Sequence, residues 1–158
     1  MSHEEEIQQQ LIETFPFLAG AVRIQRERRI WADVPLERFM EVFTFTVREL
    51  RFPNLIAITG RDDGATFAAV YHLNQDGILL NLSTRTPRED PVLPTITGLF
   101  PGSDIYEREL EDLFGIKVEG LPKGNRYPLP DQWPAGQYPL RKEWNASSLQ
   151  EKPEDHHA

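Results

Sequence analysis

The sequence predicts an α+β domain: an antiparallel sheet of about four strands, helices packed on it, and an extended proline-rich C-terminal arm. Three observations lead there. Apolar residues recur at helical spacing in three segments. Three short runs between residues 54 and 85 are apolar or alternate, and the turn sequences "RDDG" and "NQDG" separate them. The stretch 117–144 carries five prolines, which interrupt both periods.

Taken in order, "EEEIQQQLIETFPFL" sets Ile7, Leu11, Ile12, Phe15 and Leu18 on one helical stripe. Its acidic start suits a helix N-terminus, and Pro16 ends it. "GAVRIQRERRI" alternates loosely and reads as one strand. "DVPLERFMEVFTFTVRELRF" reads as a helix, with Asp33 as N-cap, Pro35 in the first turn, and Leu36, Phe39, Met40, Phe43, Val47 and Leu50 at helical spacing. "NLIAITG", "ATFAAVYHL" and "GILLNLSTR" then form an antiparallel meander. In the second of these, Phe67, Ala69, Tyr71 and Leu73 oppose Thr66, Ala68, Val70 and His72, and His72 reads as an exposed or satisfied strand histidine. "RTPREDPVLPTITGLFPGS" is expected to be an irregular crossing. The boundaries are a helical segment at 1–19, a core domain at 20–116, an arm at 117–144 and a disordered tail at 145–158.

Composition narrows the function. A charged fraction of 27% and a hydrophobic fraction of 39% are those of an ordinary globular chain. No apolar run reaches the roughly 18 residues of a membrane span, and "MSHEEEIQQQ" resembles neither a signal nor a transit peptide. A cytoplasmic address is expected. The net charge of −8 argues against a nucleic-acid partner. The absence of cysteine removes thiolate chemistry and thiolate-ligated metals. The histidines are His3, His72, His156 and His157, and no dinucleotide fingerprint is present. No catalytic, cofactor-binding or metal-binding residue is assigned.

The densest chemistry lies in "YERELEDLFGIKVEG", residues 106–120. Asp104 and Glu107 have the spacing of a capping box, Gly115 suits the C-terminal stop, and Tyr106, Leu110, Leu113 and Phe114 form an apolar stripe. Arg108 and Asp112 are spaced as an i,i+4 pair. The carboxylates fit acid–base work, a hard-cation site, a solvated charged face, or an interface. The segment that follows favours the interface. It is mildly basic and irregular, yet it holds Tyr127, Trp133, Tyr138 and Trp144, residue types that anchor contacts. Its surface is either the chain's own domain or another subunit. Arg141 and Lys142 are suited to carboxylates on a partner.

Two separated motifs then carry a resemblance. Glu107-Arg108-Glu109 with Asp112-Leu113-Phe114-Gly115, followed by Pro139-Leu140-Arg141-Lys142, resemble the 30-kilodalton subunit family of respiratory complex I, which supplies the C subunit of NADH-quinone oxidoreductase in bacteria. The resemblance covers roughly residues 20–144. "FPGSDIYERE" looks more like the homologous subunit of energy-converting membrane-bound hydrogenases. Where the family often has histidines, this chain reads Leu121-Pro122 and Tyr138-Pro139.

The resemblance implies a non-catalytic structural subunit of a peripheral arm, attached to the membrane only through its complex. The implied partners are a large 49 kDa-type subunit and a small iron–sulfur subunit. Iron–sulfur clusters and quinone, or nickel–iron, belong to those partners and no cofactor to this chain. The expected interface residues are Glu107, Arg108, Glu109, Asp112, Phe114, Trp133, Arg141 and Lys142, with Phe114 equally placed for the core and the Glu-Arg-Glu cluster able instead to tie the arm to its own domain. A free-standing binding module and an autonomous carboxylate enzyme are the rival readings.

Overall fold

The computed structural model describes residues 1–149. A five-stranded sheet runs in the order β1-β2-β5-β4-β3: β1 Val22–Arg26, β2 Arg29–Asp33, β3 Asn54–Asp62, β4 Thr66–Gln75 and β5 Ile78–Pro87. Among the described residues three α-helices accompany it: α1 His3–Thr14, α2 Phe39–Arg48 and α3 Asp104–Phe114. The α+β class is the one expected, with five strands in place of about four. The extra strand comes from "VRIQRERRI", which folds as a hairpin. Arg28 turns it at φ 59, and the Glu4 carboxylate of α1 accepts the Arg28 N–H at 2.6 Å.

The meander β3-β4-β5 is antiparallel throughout, but β2 pairs with β5 in parallel. The α2 crossover causes this. It carries the chain from β2 to the far edge, where β3 runs in the same direction as β2. Two hairpins later β5 has that direction again and lies beside β2. The meander strands are longer than expected, absorbing Arg61 and Asp62 at one end and Thr86 and Pro87 at the other.

The caps differ in part from expectation. Ser2 caps α1 in a reciprocal box with Glu5. Asp33 does not cap α2. It ends β2, whose ladder continues through Val34 N–H to Ser83 O at 2.8 Å, and its carboxylate accepts from Arg23 and from Trp31 Nε1, each at 3.0 Å. Held in extended chain, it cannot reach the helix, which opens instead through a 3₁₀ turn at Leu36–Arg38.

The core lies on one face of the sheet. Phe39 and Phe43 pack on Tyr71 with ring centroids 4.6 and 5.6 Å away, and Phe114 meets Phe67 edge-on at 6.0 Å. Phe67, Ala69, Tyr71 and Leu73 are all buried. Ala68 and Val70, on the other face, are buried as well, because Arg61 and Arg85 flank Ala68, and Thr59 and Ser83 flank Val70, in register. His72 is satisfied there by Thr59 Oγ1 at 2.8 Å and Asn81 Oδ1 at 2.6 Å.

The crossing after β5 is not wholly irregular. Val92–Pro94 (β6) pairs in parallel with Lys117–Glu119 (β7), so the first residues assigned to the arm belong to the domain. Beyond β7 the chain is irregular to a 3₁₀ turn at Ala146–Leu149. The rest of the expected tail, including His156 and His157, lies outside the described residues.

Gly60 sets the distance between α3 and the sheet. A Cβ there would fall on the Phe114 ring and 2.9 Å from Leu110 Cδ2. Gly60→Ala is therefore expected to lower the unfolding free energy by about 1–3 kcal/mol through overpacking, read by urea denaturation.

Candidate subunit interface

Helix α3 is entered from a 3₁₀ turn, Pro101–Ser103, and Asp104 already has helical dihedrals. The expected Asp104–Glu107 capping box is therefore absent. Glu107 points inward instead. It is fully buried and accepts Ile96 N–H at 2.7 Å and Thr95 Oγ1–H at 2.6 Å. Burial pushes its carboxyl above the usual range, the two hydrogen bonds opposing. A carboxylate with no exposed surface and both oxygens engaged has no access to a substrate, so it works as a brace between α3 and the 95–97 loop. Burial also raises Glu109 and Glu111, in the same direction as Glu107.

The other end of α3 stops as expected. Gly115 adopts φ 72, its N–H bonds to Glu111 O, and the Ile116 N–H returns to Leu110 O at 3.2 Å. The same glycine is needed for a second reason. A Cβ there would come within 2.6 Å of the Tyr138 ring and 2.8 Å of Arg141 Nη2.

Asp112 and Arg108 tie the proline-rich segment to its own domain, and the expected Arg108–Asp112 pair does not form. Asp112 accepts Arg126 Nη2 at 3.2 Å and Nε at 3.3 Å, and also the Leu129 N–H at 3.0 Å. Arg108 donates to Pro122 O at 2.7 Å and sits 3.9 Å from Asp104. Trp133 stacks at 5.9 Å on Trp144, and both indole N–H groups bond to Gln137 at 2.8 Å.

The Pro-Leu-Arg-Lys motif closes on the same helix end. The Leu140 N–H donates to Leu113 O at 3.0 Å, and Arg141 Nε to Phe114 O at 2.7 Å. The Arg141 guanidinium lies between the rings of Phe67 and Tyr138, at 5.0 and 4.6 Å. Lys142 contributes its backbone N–H, 2.9 Å from Asp62. Asp62 is buried and forks with Arg88 at 2.7 and 3.1 Å, while Arg88 also reaches Glu143.

Among the expected interface residues, then, Glu107 and Phe114 lie in the interior, and Arg108, Asp112, Trp133, Arg141 and the Lys142 backbone contact this chain's own segment. Glu109 stands apart. It has no hydrogen-bonding or ionic partner among the described residues, and it lines a groove of about 310 Å³ with Ala57, Gly60, Leu113 and Leu140. Asp62, Arg88 and Arg126 were missed as anchors. The signal for Asp62 was period two: Ile58, Gly60 and Asp62 fall on one face of β3, so an acid continues a core-facing row.

Residues 32–150 match the model of the respiratory-chain NADH dehydrogenase 30 kDa subunit, and the chain belongs to that family. The membrane-bound hydrogenase subunit beta of Pyrococcus furiosus is 31% identical over 149 residues, 89% of this chain and 86% of that one. The C subunit of the F(420)H(2) dehydrogenase of Methanosarcina mazei is 30% identical over 82% of this chain and 84% of its own. Against the C/D subunit of the NADH-quinone oxidoreductase of Phocaeicola vulgatus the identity is 34%, and the matched part is 22% of that longer protein. Among solved structures, a component of the membrane-bound sulfane sulfur reductase, an archaeal respiratory membrane complex, matches with a TM-score of 0.82 and 28% identity over 99% of this chain and 96% of its own. The trypsin-resistant fragment of Nqo5 matches at 0.60 with 29% identity, covering 76% of this chain and 98% of the fragment.

Two outcomes test the anchors. Asp62→Asn should cost roughly 2–3 kcal/mol near neutral pH by leaving Arg88 half-paired. Arg88 holds the Asp62 carboxyl well below the usual carboxylate range. The contribution is thus present above the unfolded pKa, about 4, and the gap between wild type and variant should close as pH falls below it. Thermal melts across pH read this. Glu107→Ala should cost about 1–3 kcal/mol more than Glu107→Gln, because only alanine leaves the Ile96 N–H without an acceptor.

Proposed function

We propose that this chain is a non-catalytic structural subunit of the peripheral arm of a membrane-attached redox complex of the complex I type. It supports a large 49 kDa-type subunit and a small iron–sulfur subunit during electron transfer. The observation that carries the reading is the match along almost the whole chain to a component of an archaeal respiratory membrane complex. The chemistry of α3 agrees: its two most buried acids, Glu107 and Asp112, are spent on this chain's own backbone and Arg126. Iron–sulfur clusters, with quinone or nickel–iron, are carried by the partners. This chain has no thiolate with which to ligate a cluster.

Between the two branches, the near-complete coverage of both proteins in the hydrogenase and sulfane sulfur reductase matches favours a complex of that kind over an NADH:quinone oxidoreductase. Among the described residues no helix is long and apolar enough to cross a membrane, which suits a peripheral place held by the complex on the cytoplasmic side. A proline-rich segment folded on its own domain is also what a free-standing module would show, and co-purification separates the two readings.

Purification of the chain from its host's membranes in mild detergent, with the co-purifying proteins identified, is the test. Recovery of a large redox subunit and an iron–sulfur subunit is expected, and metal analysis of the large subunit selects nickel–iron or quinone chemistry. Recovery of the chain alone would sink the subunit reading and leave the free-standing module.

A further inference from the structure

Strand β3 is an edge strand, paired among the described residues with β4 alone. Four consecutive residues of it, Ala57 to Gly60, line the groove that α3 leaves beside it. A groove wall built of consecutive strand residues presents main chain as well as side chains. The window has definite ends. The Tyr106 hydroxyl donates to Ile56 O at 3.0 Å on one side, and Leu140, 51% exposed, closes the other.

The surroundings are apolar. Ile56 is 50% exposed and Ile105 41%, and Leu113, which lines the groove with Leu140, is half-buried. Into this surface projects Glu109, half-buried and without a partner among the described residues. Every other acid of α3 has a partner on this chain: Asp104 faces Arg108, Glu107 and Glu111 accept backbone N–H groups, and Asp112 holds Arg126. A lone carboxylate partly withdrawn from water beside an open strand edge is costly unless a cation meets it.

We propose that this groove is the seat of an extended segment of a partner subunit, laid along Ala57–Gly60 as an added strand, with an Arg or Lys of that segment paired to Glu109 and aliphatic neighbours on Leu113 and Leu140. Main-chain pairing supplies the hold and the carboxylate supplies the register. The inference rests on the subunit reading above and names the surface it uses. The proline-rich segment, spent on its own domain, leaves this edge unpaired among the described residues.

The test uses the assembled complex from host membranes, with p-benzoylphenylalanine in place of the exposed Leu140 and, as control, in place of Glu13. Light should cross-link position 140, and not position 13, to a partner peptide containing Arg or Lys. Cross-links scanned along that peptide should fall at every second residue, as in a strand. Glu109→Lys should lower partner recovery roughly ten-fold or more, and Glu109→Gln less. Reversing the partner's basic residue to Glu should restore recovery with Glu109→Lys. Because Glu109 holds nothing among the described residues and its desolvation is uncompensated, Glu109→Gln alone should melt no lower than wild type. An intact complex with no cross-link at 140, with cross-links at helical spacing, or with a second copy of this chain as the target overturns the groove alone. A chain recovered by itself overturns the groove and the subunit reading together.

Discussion

The close approach of α3 to the sheet at Gly60 is the constraint on which the rest depends. With no Cβ in the way, the Phe114 ring settles over β3 and against Phe67. Burying such a ring is worth about 2–3 kcal/mol. It also fixes where the helix must stop. Gly115 reverses the chain at the edge of that contact, and the space above it receives Tyr138 and Arg141. The Phe114 carbonyl, left free by the end of the helix, is then taken by Arg141. One aromatic contact thus positions a helix end, a left-handed turn and the arginine that closes over them.

The charges of α3 divide by direction. Those on the side of the 95–97 loop and the proline-rich segment are consumed inside the chain, which turns a run of acids into mechanical ties. Glu109 faces the other way, toward the open strand. The proposed role of holding neighbours in place would use both kinds of residue: ties that make the chain's own surface rigid, and a small remainder that recognises something else.

Much of this was legible in the sequence because it is written in local periods. The meander followed from alternation between turn sequences, α3 from its stripe and Gly115, and the family resemblance from two motifs in order. What escaped depended on partners distant in the chain. The hairpin β1–β2 hides in a run of arginines whose turn uses Arg28 rather than glycine. Asp33 has the look of a cap, but its fate is set by a parallel pairing with β5 fifty residues later. Glu107 has capping spacing, and only the tertiary position of Thr95 and Ile96 reveals it as buried. The anchors Asp62 and Arg88 are ordinary turn-region charges until Lys142 arrives beside them.

That last contact joins residues 80 positions apart. Closing so long a loop adds little to the entropy cost compared with a loop half as long, but in time it comes after the hairpins, whose turns are local. Asp62 and Arg88 grip each other across the β3–β4 turn and the strand beyond, so a socket exists before its last occupant. In a chain emerging from the ribosome the sheet can form early, but the socket is filled only when synthesis has passed Lys142. Until then the end of α3 lacks Arg141, and Phe67 has Arg88 over its ring without the second guanidinium.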